Sequence, residues 1–304
     1  MPSAETRPRG TLRGMVAVGA LLDRRYALTS VLGEGGMGTV FEATDTTEGT
    51  RVAIKTLRQD LAADPALRER FEREARALFA LAHPHVVEVL DFGIDQGVAY
   101  IATELLIGRP LSEAIDNGPL DPRLATLWAR QLLSALASAH AQGVVHRDLK
   151  PDNVFLTRGP GGLEIAKLLD FGLVRFVDSE QWGASATLTT DGEVMGSPGY
   201  ISPEQACGGR ADGTSDVYSV GCMIFELYTG NWPFEEDTQV KLFRAHLLKK
   251  APRMHESRPG LNVSPALQNL VDRAMEKPRA DRYQDAVALL SAFDALPQPA
   301  AWLG

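Results

Sequence analysis

An α+β chain in two lobes is the fold class that the sequence predicts, and three observations predict it. Short alternating or β-branched runs, punctuated by Gly, Asp and Asn, fill residues 26–104. From about residue 110 the apolar spacing changes to the three-and-four pattern of helices. A single long helical pattern interrupts the first region, so strands and helices are segregated and do not alternate as in a parallel α/β sheet.

The expected strands are Tyr26–Leu32, Thr39–Thr44, Arg51–Thr56, Val86–Asp91 and Val98–Glu104. Between the third and fourth, Asp64-Pro65 supplies an N-cap with Pro in the first turn, and the helix runs to Ala82 before Pro84 ends it. Asp121-Pro122 opens a long helix to Gln142 with Leu124, Leu127, Trp128, Leu132 and Leu136 on one stripe, and Gly143 is placed to terminate it. Val154–Thr157, a turn at Gly159–Gly162 and Ile165–Leu169 read as a hairpin. Further helices are expected near 214–229, 238–248, 264–275 and 284–294. The resulting organisation is a leader at 1–25, a small lobe at 26–103, a connecting segment at 104–108, a larger lobe at 109–295 and a tail at 296–304. Arg7, Arg9 and Arg13 precede an apolar run at Met15–Leu22, but Gly19 interrupts it and charges follow at once. The leader therefore reads as a flexible segment ending in a docking strand, not as a secretion signal.

A net charge of −8 argues against nucleic acid as the main partner, because phosphate backbones need clustered Lys and Arg. Cys207 and Cys222 lack metal-ligand spacing and read as cytosolic thiols. No stretch reaches the ~18 apolar residues of a membrane span, so a soluble, cytoplasmic chain is expected.

His146-Arg147-Asp148-Leu149-Lys150-Pro151-Asp152-Asn153 places an acid, a cation and an amide close together. Transfer of a metal-bound phosphoryl group needs a base to orient the attacking hydroxyl, a cation to meet the moving phosphate and a neutral oxygen to hold the metal. Those roles fall to Asp148, Lys150 and Asn153. Asp-Phe-Gly occurs twice. The copy at Asp91 reads as a strand terminus, whereas the copy at Asp170 follows the hairpin that brings the chain back beside Asn153. Asp170 and Asn153 can therefore share a hard cation through oxygen.

Gly33-Glu34-Gly35-Gly36-Met37-Gly38 lies between two strands, where backbone N–H groups can approach phosphate oxygens with no Cβ in the way. A dinucleotide fingerprint would need a helix directly after these glycines, and a strand follows instead. Val52-Ala53-Ile54-Lys55 carries a lysine on the next strand. In the helix after it, Leu67, Phe71, Ala75 and Leu78 form the apolar stripe, and Glu74 lies on that stripe. A carboxylate on a buried face needs a partner, and Lys55 is the expected one.

In this order, the glycine-rich loop, V-A-I-K, the helix Glu, H-R-D-x-x-x-x-N and D-F-G resemble the protein kinase family over roughly residues 26–295. The wording Gly-Glu-Gly-Gly-Met-Gly and Ser-Pro-Glu-Gln most resembles the eukaryotic-like Ser/Thr kinases of bacteria. The resemblance implies a bilobal kinase-like fold and an ATP- and Mg2+-dependent transfer to protein Ser or Thr, with Mn2+ as a substitute. Lys55, Glu74, Asp148 and Lys150 would be catalytic, and Asn153 and Asp170 would hold metal. ATP would be bound by Leu32, Gly33, Glu34, Gly35, Gly36, Met37, Gly38, Val40, Ala53, Lys55, Thr103, Glu104, Leu106 and Phe155, with Thr103 as gatekeeper and 104–108 as hinge. Glu204 and Arg282 would pair, Asp216 would brace the catalytic-loop backbone, and Ser197 would sit near Asp148. Lys150 and Gly196-Ser197-Pro198 favour Ser/Thr over Tyr acceptors.

Regulation by a phosphate on the activation segment is also implied. Thr187, Thr189 or Thr190 would be autophosphorylated, and Arg70, Arg147 and Arg175 would gather the phosphate. The implied partners are protein substrates, the chain itself included, with a transient kinase dimer and no nucleic acid. Two rivals remain: a catalytically weak kinase-fold scaffold that binds nucleotide, and a small-molecule phosphotransferase. The first normally lacks one of the lysine or the two Asp residues, all present here; the second lacks the long segment between D-F-G and Ser-Pro-Glu. His83, His85 and His140 read as packing or surface residues, and His146 as backbone support.

Overall fold

The computed structural model describes residues 16–35, 38–57, 65–116, 118, 120–171 and 198–297, without the side chains of Leu67 and Arg70. The chain divides into two compact units, one of residues 1–72 and 90–105, the other of residues 73–89 and 106–304.

The first unit is a sheet of order β1-β2-β3-β4-β6-β5, made from β1 (Leu21–Leu22), β2 (Tyr26–Gly35), β3 (Gly38–Asp45), β4 (Arg51–Leu57), β5 (Val89–Asp95) and β6 (Val98–Glu104). The period-two alternation assigns its faces. Phe41, Ala43, Val52, Ile54, Tyr100 and Ala102 form one buried cluster with Leu22, Tyr26 and Leu28. The expected docking strand at the end of the leader is β1, which pairs antiparallel with Tyr26 and Ala27. Residues before Tyr26 pack on the sheet: the Gly19 N–H donates to the Leu28 carbonyl (2.9 Å), the Leu28 N–H donates to the Ala20 carbonyl (3.0 Å), and Leu22 is buried. Tyr26 therefore does not begin the fold; an apolar run too short to span a membrane covers the sheet edge instead.

Asp91-Phe92-Gly93 lies inside β5 and not at a strand end. Asp91 accepts from Arg25 Nη1 (3.0 Å) and Tyr26 Oη (2.9 Å), which staples the chain entering β2 to β5. The strand expected at Val86–Asp91 is shifted to Val89–Asp95 because Val86 and Val87 are used in the second unit. There Val86 bridges Leu168, and Val87 N–H donates to the Leu168 carbonyl at 2.9 Å.

Helix α1 (Pro65–Phe79) begins in the first unit and ends in the second, with Phe71, Ala75 and Leu78 buried. It stops short of Ala82 because the Leu81 amide turns back to the Leu78 carbonyl, three residues behind it.

In the second unit, β7 (Gly108–Pro110), β8 (Val154–Arg158) and β9 (Glu164–Leu168) form a small antiparallel sheet. The helices are α2 (Leu111–Asp116), α3 (Pro122–Ala141), α4 (Pro203–Ala206), α5 (Gly213–Thr229), α6 (Gln239–Leu248), α7 (Met254–Ser257), α8 (Pro265–Ala274) and α9 (Ala286–Asp294). Asp121 caps α3 by accepting from the Arg123 amide, and Gly143 follows it in the left-handed region. Helix α5 is buried along nearly its whole length and packs against α3, α8 and α9. Such a helix cannot show an amphipathic period, yet its Asp216 holds the backbone of the loop His146–Arg147. Gly221 permits the close approach of α8, since a Cβ there would meet Ala274 and Met275 at 3.0 Å.

Candidate active site

In the first unit, strand register collects one set of expected nucleotide residues. Val40 pairs with Lys55, Ala53 with Thr103, and Lys55 with Ile101, so Val40, Ala53, Lys55, Ile101 and Thr103 share the face opposite the buried cluster. Gly33 pairs with Val40, which brings the start of the glycine-rich hairpin onto the same strands. Gly38 is required by the fold: its φ is +146°, and a Cβ would lie 1.9 Å from the Thr56 carbonyl oxygen. Gly33 and Gly35 are different, for a Cβ on either would meet nothing within 4 Å among the described residues. Packing therefore does not demand glycine there, and the space above the backbone is open to a phosphate. Leu32 and Glu34 are exposed in this hairpin; Gly36 and Met37 lie outside the described residues.

In the second unit, the loop after α3 carries the acid, the cation and the amide. Asn153 Nδ2 donates to the Asp148 carbonyl at 2.7 Å and to Asp148 Oδ2 at 3.2 Å, and Lys150 Nζ lies 3.7 Å from the same carboxylate. The Asp148 carboxylate is thus oriented from two sides within one short loop. With the Asn153 amide nitrogen committed, its oxygen is the atom left for a cation. The Leu169 N–H donates to the Asn153 carbonyl at 2.8 Å, holding the residue before Asp170 beside Asn153. Asp170 adopts φ 43° and is exposed. An amide oxygen and a carboxylate are hard donors that fit Mg2+ or Mn2+. Among the described residues no group of three His, Cys, Asp or Glu could hold a metal by itself.

The backbone of this loop is held from elsewhere in the unit. Asp216 on α5 accepts from the His146 amide (2.7 Å, Oδ2) and the Arg147 amide (2.8 Å, Oδ1). His140 completes this brace, a role its sequence context did not reveal. Its Nδ1 accepts from the Ala286 amide at 3.0 Å, which leaves the proton on Nε2 to meet Asp216 Oδ2 at 2.9 Å. His140 and Asp216 are 76 positions apart, so no spacing signal could have paired them. His146 is buried and supports the backbone: Nδ1 accepts from the Asp148 amide (3.3 Å) and Nε2 donates to the Leu169 carbonyl (2.8 Å). His83 and His85 are held below the ordinary histidine value by burial, as packing residues are.

Glu204 receives both terminal nitrogens of Arg282 at 3.0 and 2.9 Å and the Ser215 hydroxyl at 2.5 Å. Burial raises its pKa, but these donors more than offset that and bring it down to about 2. Glu74 lies 3.7 Å from Arg147 Nη1, so the helix glutamate and an arginine expected to bind phosphate meet in this structure. Lys55 belongs to the first unit and Glu74 to the second, and the expected pair between them stays a proposal. Leu106 and Phe155 are half-buried in the second unit, and Glu104 ends β6 in the first. Gly172, Arg175, Thr187, Thr189, Thr190, Ser197 and the Arg70 side chain lie outside the described residues.

Sequence patterns also missed Glu226, buried on α5. Tyr200 Oη donates to it at 2.5 Å and accepts from Trp232 Nε1 at 3.0 Å. Burial pushes the Glu226 carboxyl up to about 7, the donors Tyr200 and Trp232 opposing it only in part. A carboxyl that keeps its proton longer in the folded chain costs stability as pH rises from about 4.5 through about 7. Glu226→Gln is expected to flatten the fall of Tm between about pH 5 and about pH 8. Scanning fluorimetry across that range checks this, and an unchanged slope would refute it.

A family model described as the protein kinase domain matches residues 26–293. The serine/threonine-protein kinase pkn3 of Myxococcus xanthus is 39% identical over 281 residues, which cover 92% of this chain and 51% of the relative. The serine/threonine-protein kinase PknL of Mycobacterium tuberculosis is 37% identical over 283 residues, covering 93% of this chain and 68% of the relative. The chain thus spans about half the length of pkn3 and about a third of the Myxococcus xanthus kinase pkn2. The crystal structure of the Mycobacterium tuberculosis PknI kinase domain aligns with a TM-score of 0.69 at 26% identity, over 92% of this chain and 99% of that one. The chain belongs to the protein kinase family, and serine/threonine-protein kinases of bacteria are its relatives.

Proposed function

We propose that this chain transfers the γ-phosphoryl group of ATP to Ser or Thr hydroxyls of proteins. The observation that carries the reading is the Asp148 carboxylate, held by Asn153 at 3.2 Å and flanked by Lys150 at 3.7 Å. The hydroxyl oxygen forms a bond to the γ-phosphorus, the bond from that phosphorus to the β,γ-bridging oxygen breaks, and ADP leaves. Asp148 orients the hydroxyl and takes its proton, while Lys150 offsets charge on the phosphoryl oxygens. The first unit's share is nucleotide binding by the glycine-rich hairpin, Val40, Ala53, Lys55 and Thr103. Asn153 and Asp170 would hold Mg2+, or Mn2+ in its place, which neutralises phosphate charge when bound.

Thr187, Thr189 or Thr190 would accept phosphate from another copy, with Arg147 among the groups that receive it. A cytoplasmic setting supplies the ATP. The scaffold alternative is disfavoured because Lys55, Asp148, Asn153 and Asp170 are all present. The test is incubation of the full chain with γ-labelled ATP, Mg2+ and casein, followed by phosphoamino-acid analysis and intact mass. Phosphoserine or phosphothreonine in casein is the expected result, and no transfer would overturn the reading. An unchanged intact mass of active enzyme would remove the autophosphorylation part alone.

A further inference from the structure

We propose that Gln205 is a positioning residue for phosphoryl transfer, its side-chain amide fixing the peptide plane on which Asp148 is mounted. The inference rests on reading Asp148 as the base.

Arg147 is a non-glycine residue at φ 69°, a conformation that persists only when its surroundings impose it. Its N–H is held by Asp216 Oδ1 at 2.8 Å, and its carbonyl accepts from Gln205 Nε2 at 2.9 Å. That carbonyl shares a peptide plane with the Asp148 N–H, which donates to His146 Nδ1 at 3.3 Å. The plane is therefore pinned at both edges. Of the two bonds the Gln205 one is the shorter. Rotation of this plane swings the Asp148 side chain, so Gln205 helps set where the carboxylate points.

The Gln205 amide is itself oriented. Its Oε1 accepts from the Ser202 hydroxyl at 2.8 Å and from the Ser202 amide at 3.3 Å, and Ser202 is fully buried. Flipping the amide would set donor against donor at Ser202 and acceptor against acceptor at Arg147, so one orientation alone satisfies the network. Ser202 follows the turn Pro198–Tyr200, whose Tyr200 carbonyl accepts from the Ser219 hydroxyl at 2.7 Å. Gln205 thus ties the segment carrying Pro198–Ser202 to the base across 58 positions of sequence. A change in that segment is relayed to Asp148 through one amide.

Two substitutions test this in the full chain with casein as acceptor. Gln205→Met removes both polar ends. Gln205→Glu keeps the shape and the acceptor for Ser202 but replaces the donor with an oxygen facing the Arg147 carbonyl. Both are expected to lower kcat about tenfold with KM for ATP within about twofold, since misplacing a reacting group acts on the chemical step. The ratio of Gln205→Glu to wild-type kcat should rise as pH falls from about 8 to about 6, because the protonated carboxyl regains a donor, whereas the Gln205→Met ratio stays flat. Wild-type kcat in both variants, or equal pH-independent losses that track a lowered Tm, would overturn the proposal. Asp148→Asn measured alongside reads the base assignment separately; full activity there would remove that assignment and this inference with it.

Discussion

Asp148→Asn is expected to lower kcat by a factor on the order of 10² to 10⁴, the range that general-base groups contribute. Binding of ATP and the Tm should stay close to wild type. The substitution is nearly isosteric, and the backbone that carries it is fixed independently by Asp216 and His146. The Asn153 amide would still find an acceptor, because the side-chain oxygen of Asn accepts as the carboxylate does. What is lost is the negative charge 3.7 Å from Lys150 and the ability to take a proton from the acceptor hydroxyl. Steady-state kinetics with casein, together with a nucleotide-binding isotherm, check the prediction. A variant within threefold of wild type would mean that the loop orients groups without supplying the base.

Glu204→Ala is expected to be the most destabilising single change outside the apolar core, at about 3–5 kcal/mol. Arg282 has no exposed surface, and its terminal nitrogens are matched one to each oxygen of Glu204. Its remaining donors go to the Thr214, Glu276 and Lys277 carbonyls, so the guanidinium cannot swing out to water without breaking them. Alanine therefore leaves a buried cation without its counter-charge and also strips the Ser215 hydroxyl of its acceptor. The same pair predicts an acid limb. With the Glu204 carboxyl depressed from 4.5 to about 2, its contribution is present above about 4.5 and is lost as pH falls through about 2. Urea unfolding at neutral pH measures the first effect, and a loss below about 1 kcal/mol would show that water reaches Arg282 once the carboxylate is gone. Unfolding in acid measures the second, where variant and wild type should converge.

Most elements were legible because each carries a local signal. Asp121-Pro122 and Gly143 bracket α3 through capping chemistry that needs no tertiary partner. Alternation along β3, β4 and β6 sorted Lys55 and Val40 from Ile54 and Phe41. Where signals were read wrongly, a competing burial had intervened. Val86 and Val87 look like the start of a strand, yet their side chains are spent in the second unit and β5 begins later. The docking strand expected at the end of the leader is only two residues long, too short for a periodicity to fix its bounds. The Asp-Phe-Gly copy at Asp91, set aside as a strand terminus, proved to be a staple for Arg25 and Tyr26 inside β5, a use that no short pattern encodes.

The candidate inventory came from the chain because phosphoryl transfer needs an acid, a cation and hard oxygen donors, and the linear order of Asp148, Lys150, Asn153 and Asp170 offers them. Two supports, Asp216 and His146, were implied by the resemblance; others were not readable. His140 and Gln205 hydrogen-bond to residues far away in sequence, and each type is common enough to be spent on packing or solvent. Only folding brings the Asp216 carboxylate under the Arg147 amide and the Gln205 amide over the Arg147 carbonyl. Which chemistry is available was written in one dimension; the orientation of the atom that performs it depends on burial and hydrogen-bond satisfaction, which exist only in three.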